Sequence, residues 1–207
     1  MEEIIRSLVV VVFAYICGSV PWGYIIGKVN GIDVRTVGSK NIGATNVTRC
    51  VGKKAGKLCF ALDFLKGLLP VLVARYIIGV SGSVTELLVV FAAILGHVFP
   101  VFLNFKGGKG VSTAAGAIMA LAPVPLVTAL VIWVVVFFIS RYVSLASITA
   151  AAVLPVIAWV MILTGNRNGA SVPVAIVLTV IAALAIFRHR SNIQRLLDGT
   201  ENRFGRK

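Results

Sequence analysis

Six runs of apolar residues divide the chain, at about 4 to 27, 58 to 80, 85 to 104, 111 to 140, 143 to 163 and 171 to 187. A helix needs roughly 20 apolar residues to cross a bilayer, and most of these runs reach that length, so the pattern predicts membrane-spanning helices. The fourth run, about 30 residues long, is interrupted at Ala122-Pro123-Val124-Pro125, where two prolines remove backbone donors. It fits either one kinked span or two helices in a tight hairpin.

Composition agrees with a lipid solvent. With 58% hydrophobic and 13% charged residues and a mean hydropathy of +0.99, the 207-residue chain is too apolar to present a soluble surface. The length holds about five to eight helices and leaves little room for a soluble domain, which implies a single integral membrane domain over 1–207. The opening MEEIIRSLVVVVFAYICGSV has no convincing cleavage site and reads as a retained first helix. Cys17, Cys50 and Cys59 form neither a Cys-x-x-Cys pair nor a His/Cys cluster, so no metal site and no disulfide framework is expected.

Charge decides the topology. Lys and Arg number 20 against 7 acidic residues, and in a membrane protein that excess answers first to the positive-inside rule, not to nucleic acid. If the fourth run is two helices, the basic loop at 28 to 57 and the tail from Arg188 to Lys207 share one side. Only Arg6, Lys66, Arg75 and Arg167 of the 20 basic residues then lie elsewhere. The expected fold is therefore all-α, a polytopic bundle of seven transmembrane helices with the N-terminus outside and the C-terminus in the cytoplasm. Its weak point is 111 to 121, only about 16 Å as a helix.

The polar material gathers in three inner-side stretches, 35–49, 104–113 and 188–203. The first, Arg35-Thr-Val-Gly-Ser-Lys-Asn-Ile-Gly-Ala-Thr-Asn-Val-Thr-Arg49, combines two arginines with glycines, hydroxyls and amides, the donor set that suits phosphate oxygens. A solvated basic loop has the same composition. The second ends in Asn104-Phe-Lys106-Gly-Gly-Lys109-Gly-Val-Ser112-Thr113 and leads into an apolar helix. Exposed glycine N–H groups, two lysines and a helix N-terminus make an anion cradle. Its spacing is not that of a nucleotide P-loop. The third, Arg188-His189-Arg190-Ser-Asn192, sets an imidazole between two arginines, which favours its neutral form. A basic flank closing the last helix reads the same way. Asp63 and Lys66 share a helix face and suit an internal ion pair, His97 suits a hydrogen-bonded core histidine, and Ser144 and Ser147 suit backbone carbonyls of their own helix.

Taken together, GSKNIGATN at 38–46, GHVFPVFLNFKGGKGVSTAAG at 96–116 and RHRSNIQRLLDGTE at 188–201 resemble the PlsY family of bacterial membrane acyltransferases. LDFLKG at 62–67 and SLAS at 144–147 extend the resemblance over essentially the whole chain. One position departs from the family pattern: Lys40 stands where Gly-Ser-Gly-Asn has its second glycine, a slot that questions any requirement for positive φ.

The resemblance implies transfer of a fatty acyl group from acyl phosphate to the 1-hydroxyl of sn-glycerol 3-phosphate, giving lysophosphatidic acid and phosphate, the first acylation of phospholipid synthesis. It also implies a bacterial inner membrane location, an active site facing the cytoplasm, membrane lipid as surroundings, no nucleic acid and no cofactor. The His-x4-Asp pattern of soluble-type glycerolipid acyltransferases is absent, since Phe102 and Gln194 stand five residues after the two histidines. On this reading Arg49, Ser39, Asn41, Thr45 and Asn46 hold a phosphate. Lys106, Gly107, Gly108, Lys109 and Ser112 cradle glycerol 3-phosphate, His189 and Asn192 orient the attacking hydroxyl, and Ser144 and Arg188 contribute to substrate binding. The base is either His189 or a substrate phosphate oxygen. A transporter of anionic metabolites is the alternative that broken helices and cationic loops also suit.

Overall fold

The computed structural model describes residues 1–166, 168 and 170–205. Arg167, Arg206 and Lys207, which enter the charge count above, lie outside the described residues. Among the described residues every regular element is helical, and the chain forms two compact units, Met1–Ala120 and Leu121–Lys207.

In the first unit, α1 (Glu2–Ser19) ends where Pro21 interrupts the hydrogen-bond ladder, and α2 (Trp22–Val29) follows at once. The carbonyl of Val20, exposed by this break, accepts a hydrogen bond from the Lys66 ammonium at 2.7 Å. After the short α3 (Ala44–Cys50) comes α4 (Lys53–Leu72), which unwinds into a π-helical turn at Val73–Ile77. A partly buried pair secures the next loop: Glu86 accepts from Arg75 Nε at 2.6 Å and from the Gly82 N–H at 2.7 Å. Ser83 caps α5 (Val84–Val98) by accepting from the Glu86 N–H.

Close helix crossings define this unit. A side chain on Gly18 would strike the Ala93 carbonyl, and one on Gly96 would strike that of Tyr15. Small residues on both sides thus let α1 and α5 touch backbone to backbone, the packing that serves where lipid removes the hydrophobic drive between helices. The same reciprocity joins α4 to α6 (Val111–Leu121), where Gly67 faces the Thr113 carbonyl and Gly116 that of Phe64.

The second unit holds α7 (Pro123–Ser140), α8 (Val143–Leu163), α9 (Val172–Arg188) and α10 (Arg190–Leu197). As the prolines predict, the run at 111–140 is two helices, broken at Ala122. The C-terminal segment is tied back to the α7–α8 turn, since the Phe204 N–H donates to the Arg141 carbonyl at 2.8 Å and its ring meets Phe137 edge-on.

Among the described residues four segments are long and apolar enough to cross a membrane: Glu2–Val29, Val84–Leu103, Pro123–Ser140 and Val143–Leu163. The pair α9 and α10, bent by 56°, raises this to five if it counts as one span. Seven was expected. The shortfall has two physical sources: α6 has only 11 residues, and α4 carries Lys53, Lys54 and Lys57 at its start and Asp63 and Lys66 in its middle.

Candidate active site

The first basic stretch is shaped from beneath by one side chain. Asn46, 1% exposed, reaches the Val34, Asn41 and Val37 carbonyls with its amide nitrogen, at 2.8, 2.9 and 3.2 Å. Its oxygen accepts the Ser39 N–H at 2.8 Å. The polar atoms of Asn46 are thus engaged with the loop backbone, whereas the sequence suggested direct phosphate contact. Asn41 accepts the Gly43 N–H at 2.8 Å and so sets up the start of α3. Ser39 and Thr45 are half-buried and Arg49 is exposed. Arg35 is engaged by Asp33, whose two oxygens accept from Nε and Nη2 at 2.9 and 2.8 Å, while its guanidinium lies over the Tyr24 ring. These hydrogen bonds hold the Asp33 carboxyl below the usual carboxylate range.

Lys40 has φ +55°. The slot does demand the left-handed region, and this chain meets the demand with a lysine, at a cost of roughly 1–2 kcal/mol.

The glycine loop is built differently from the expected cradle. The N–H groups of Gly107 and Gly108 do not project outward; they donate to the carbonyls of Val98 and His97 at 3.2 and 3.1 Å. The glycines are required instead by close approach. A side chain on Gly107 would meet the His97 carbonyl, and one on Gly108 would meet His97 Nε2. Asn104 and Phe105 take left-handed conformations to lead into this turn. Of the other residues expected here, Lys106 is exposed and Lys109 and Ser112 are half-buried, and the first N–H groups of α6, which have no partners within the helix, suit an anion.

In the second unit His189 sits at the bend between α9 and α10 and is 3% exposed. Its Nδ1 lies 2.7 Å from the Ala185 carbonyl oxygen. A carbonyl only accepts, so Nδ1 carries the proton, and Nε2 is the nitrogen that bears the lone pair of the neutral ring. Asn192, one helical turn along, donates to Glu201 Oε1 at 2.7 Å. Ser144 donates to the same oxygen at 2.8 Å, and Arg195 Nε donates to Oε2 at 2.7 Å. Burial opposes the charge on Glu201, but the hydrogen bonds from Arg195, Asn192 and Ser144 outweigh it and hold this carboxyl below its ordinary value. Ser147, by contrast, bonds its own helix at Val143, as expected. Arg188, which precedes His189 in the chain, is half-buried.

Glu201 is the residue that sequence reasoning passed over. It stands in the quoted motif without a role, because its partner Ser144 is 57 positions away. The one available signal is an acid in a densely basic tail.

Two loops of the first unit that carry phosphate-type donors, and a buried imidazole with an anchored amide in the second, suit the class of membrane enzymes that act on phosphorylated substrates. Comparison with known proteins makes this particular. Residues 8–199 match the family model described as glycerol-3-phosphate acyltransferase. A glycerol-3-phosphate acyltransferase of Aquifex aeolicus is 47% identical over 199 residues, 96% of this chain and 100% of that protein. That of Trichlorobacter lovleyi is 49% identical over 191 residues, 92% and 94% of the two chains. Among solved structures, PlsY (YgiH), an integral membrane glycerol 3-phosphate acyltransferase, matches in its glycerol 3-phosphate form with a TM-score of 0.88 at 47% identity, covering 96% of both chains. Its lysophosphatidic acid form matches with 0.85 at 46% identity, over 96% and 95%. The chain belongs to the glycerol-3-phosphate acyltransferase family. It is an integral membrane acyltransferase of phospholipid synthesis, and the transporter reading falls away.

Proposed function

We propose that this enzyme takes its acyl group from acyl phosphate and delivers it to the 1-hydroxyl of glycerol 3-phosphate. The likeness over 96% of the chain to a relative solved with glycerol 3-phosphate and with lysophosphatidic acid carries the acceptor and product. The donor is the one the family resemblance implies, and its chemistry suits the residues present. Acyl phosphate is a mixed anhydride, so the protein need supply only orientation, charge stabilisation and a proton acceptor, with no covalent nucleophile. The hydroxyl oxygen attacks the acyl carbon, the bond from that carbon to the phosphate oxygen breaks, the hydroxyl proton is taken up, and phosphate leaves.

In this reading Ser39, Asn41, Thr45 and Arg49 hold one phosphate, with Asn46 keeping their loop in shape. Lys106, Lys109, Ser112 and the start of α6 hold the other, and Gly107 and Gly108 let the loop close down on α5. His189 Nε2 meets the attacking hydroxyl, Asn192 and Ser144 form a polar wall anchored on Glu201, and Arg188 adds positive charge. Both units then serve one acyltransferase domain. The chain crosses the bacterial inner membrane seven times, with the N-terminus outside and the three basic stretches cytoplasmic, as the distribution of Lys and Arg favours. Acyl chains remain among membrane lipid while the polar head meets the acceptor at the inner surface.

The test is purified enzyme with glycerol 3-phosphate and either acyl phosphate or acyl-CoA, scored for lysophosphatidic acid. Acyl phosphate supports turnover and acyl-CoA does not; equal rates with the two overturn the donor assignment. Cysteine labelling that reached position 200 only from outside would overturn the topology.

A further inference from the structure

We propose that His97, held from behind by Asp63 and Lys66, is a positioning residue for the glycine loop, and through it for glycerol 3-phosphate. This rests on the reading of that loop as the acceptor site. In the middle of the first unit the structure buries three ionisable side chains together: Asp63 is 1% exposed, His97 3% and Lys66 7%. Lys66 Nζ lies 2.8 Å from Asp63 Oδ1 and donates to the Val20 carbonyl. The Cys59 thiol donates to the other carboxylate oxygen at 3.7 Å. Asp63 Oδ1 faces His97 Nδ1 at 3.7 Å. Removing such groups from water is unfavourable, and well-packed apolar residues of similar volume are often as stable in their place, so packing alone is a weak reason for them.

The geometry gives one. An imidazole has a soft, roughly two-fold torsion about its last rotatable bond. With Asp63 facing Nδ1, the ring is set with Nε2 against Gly108, so close that a Cβ at Gly108 would collide with that nitrogen. The His97 carbonyl accepts the Gly108 N–H and the Val98 carbonyl accepts the Gly107 N–H. Ring and main chain of His97 thereby fix the same turn, and the next residues along are Lys109, Gly110 and the first turn of α6. If the ring turns, the loop can shift, and the lysine and helix N-terminus that meet the acceptor shift with it. The chain of contacts runs from the Val20 break through Lys66, Asp63 and His97 to Gly108. Its output is the placement of an anion site; none of its members touches the reacting atoms.

The experiment is steady-state kinetics of the purified full chain, with the KM of each substrate and kcat measured beside thermal unfolding. His97→Asn and Asp63→Asn should raise the KM for glycerol 3-phosphate about ten-fold while kcat stays within about three-fold, because displacement of a binding loop weakens acceptor capture more than transfer. The KM for acyl phosphate should not move. Gly108→Ala alone should raise the acceptor KM by about ten-fold or more, but added to His97→Ala, which empties the space beside it, it should change KM by less than about two-fold. Additive effects of the two changes overturn the proposal. So does a parallel fall of kcat and both affinities in step with lost folded protein, or failure of both His97 variants to fold, since either marks a purely structural role. If Gly108→Ala raises the acceptor KM while His97→Asn and Asp63→Asn do not, only the positioning role falls. If Gly108→Ala leaves that KM unchanged, the acceptor-site reading falls first.

Discussion

Asn192 is fixed by Glu201, which accepts its side-chain amide at 2.7 Å and thereby also determines which way that amide presents its oxygen. Ser144 and Arg195 complete the set of donors around the same carboxylate. Glu201→Gln leaves the donors and removes the charge that organises them. It should cost of the order of 1–3 kcal/mol in stability, because hydrogen bonds to a charged acceptor are lost, and activity should fall with it as Asn192 loses its anchor. The pH dependence has a definite sign. The folded-state carboxyl titrates below its ordinary value, so its contribution is fully present above that value and is lost as pH falls through the folded-state titration. The stability gap between wild type and Glu201→Gln should therefore be larger near pH 7 than near pH 4. Unfolding midpoints of both proteins across that range check this, and a constant gap would show that the carboxylate charge is not what Glu201 contributes.

Lys40 should be replaceable with gain. Its backbone holds φ +55° and its side chain is exposed, so Lys40→Gly should stabilise the protein by about 1 kcal/mol through relief of the left-handed conformation. Activity should be retained, since the loop is shaped by Asn46 and Gly38 on either side. A lower unfolding midpoint for the glycine variant, or a fall in kcat/KM, would show that the lysine side chain itself serves the site.

The sequence disclosed what depends on neighbours along the chain. Two prolines three positions apart at most from Ala122 announce the break between α6 and α7, and Asp63 with Lys66 announces an ion pair, because both rest on local helix geometry. Lys40 was legible only by contrast with a glycine in the family pattern. What stayed hidden depends on packing between helices. The paired glycine N–H groups become visible only once α5 lies beneath the loop, and Asp63 meets His97 only through the α4–α5 contact. Glu201 could not be placed because its donors come from α8 and α10. The motifs thus identified the chemistry, while the hydrogen-bonded and packing roles within the stretches, with Asn46 as scaffold and the glycines as close-packing residues, came from the fold.

Gly108→Ala should mainly raise the KM for glycerol 3-phosphate, through displacement of the loop. The added methyl group would collide with the His97 imidazole, and the loop must yield because the ring is packed against Asp63. Lys106→Ala and Lys109→Ala should raise the same KM through loss of charge, each with a weaker effect at high salt if the lysine acts through solvent. A loss of kcat with unchanged KM in Gly108→Ala would place this loop away from the acceptor.

His189 is where chemistry and geometry meet. Its Nδ1–H is committed to the Ala185 carbonyl at 2.7 Å, which presents Nε2 as the acceptor in the neutral ring. If Nε2 takes the hydroxyl proton, His189→Ala should lose roughly 10²-fold or more in kcat, and the wild-type rate should fall as the imidazole protonates in acid. His189→Gln should then be nearly as inactive, because its amide oxygen can accept a hydrogen bond but cannot carry the proton away. A side chain that only orients the hydroxyl behaves otherwise: Gln restores much of the rate, the acidic limb is the same in both proteins, and a phosphate oxygen of one substrate is the base. Measuring kcat for wild type and both variants from pH about 5 to about 9 separates the two. We expect the glutamine variant to be inactive and the acidic limb to belong to His189; substantial activity in His189→Gln with that limb unchanged would remove the general-base role and leave the acyltransferase assignment intact.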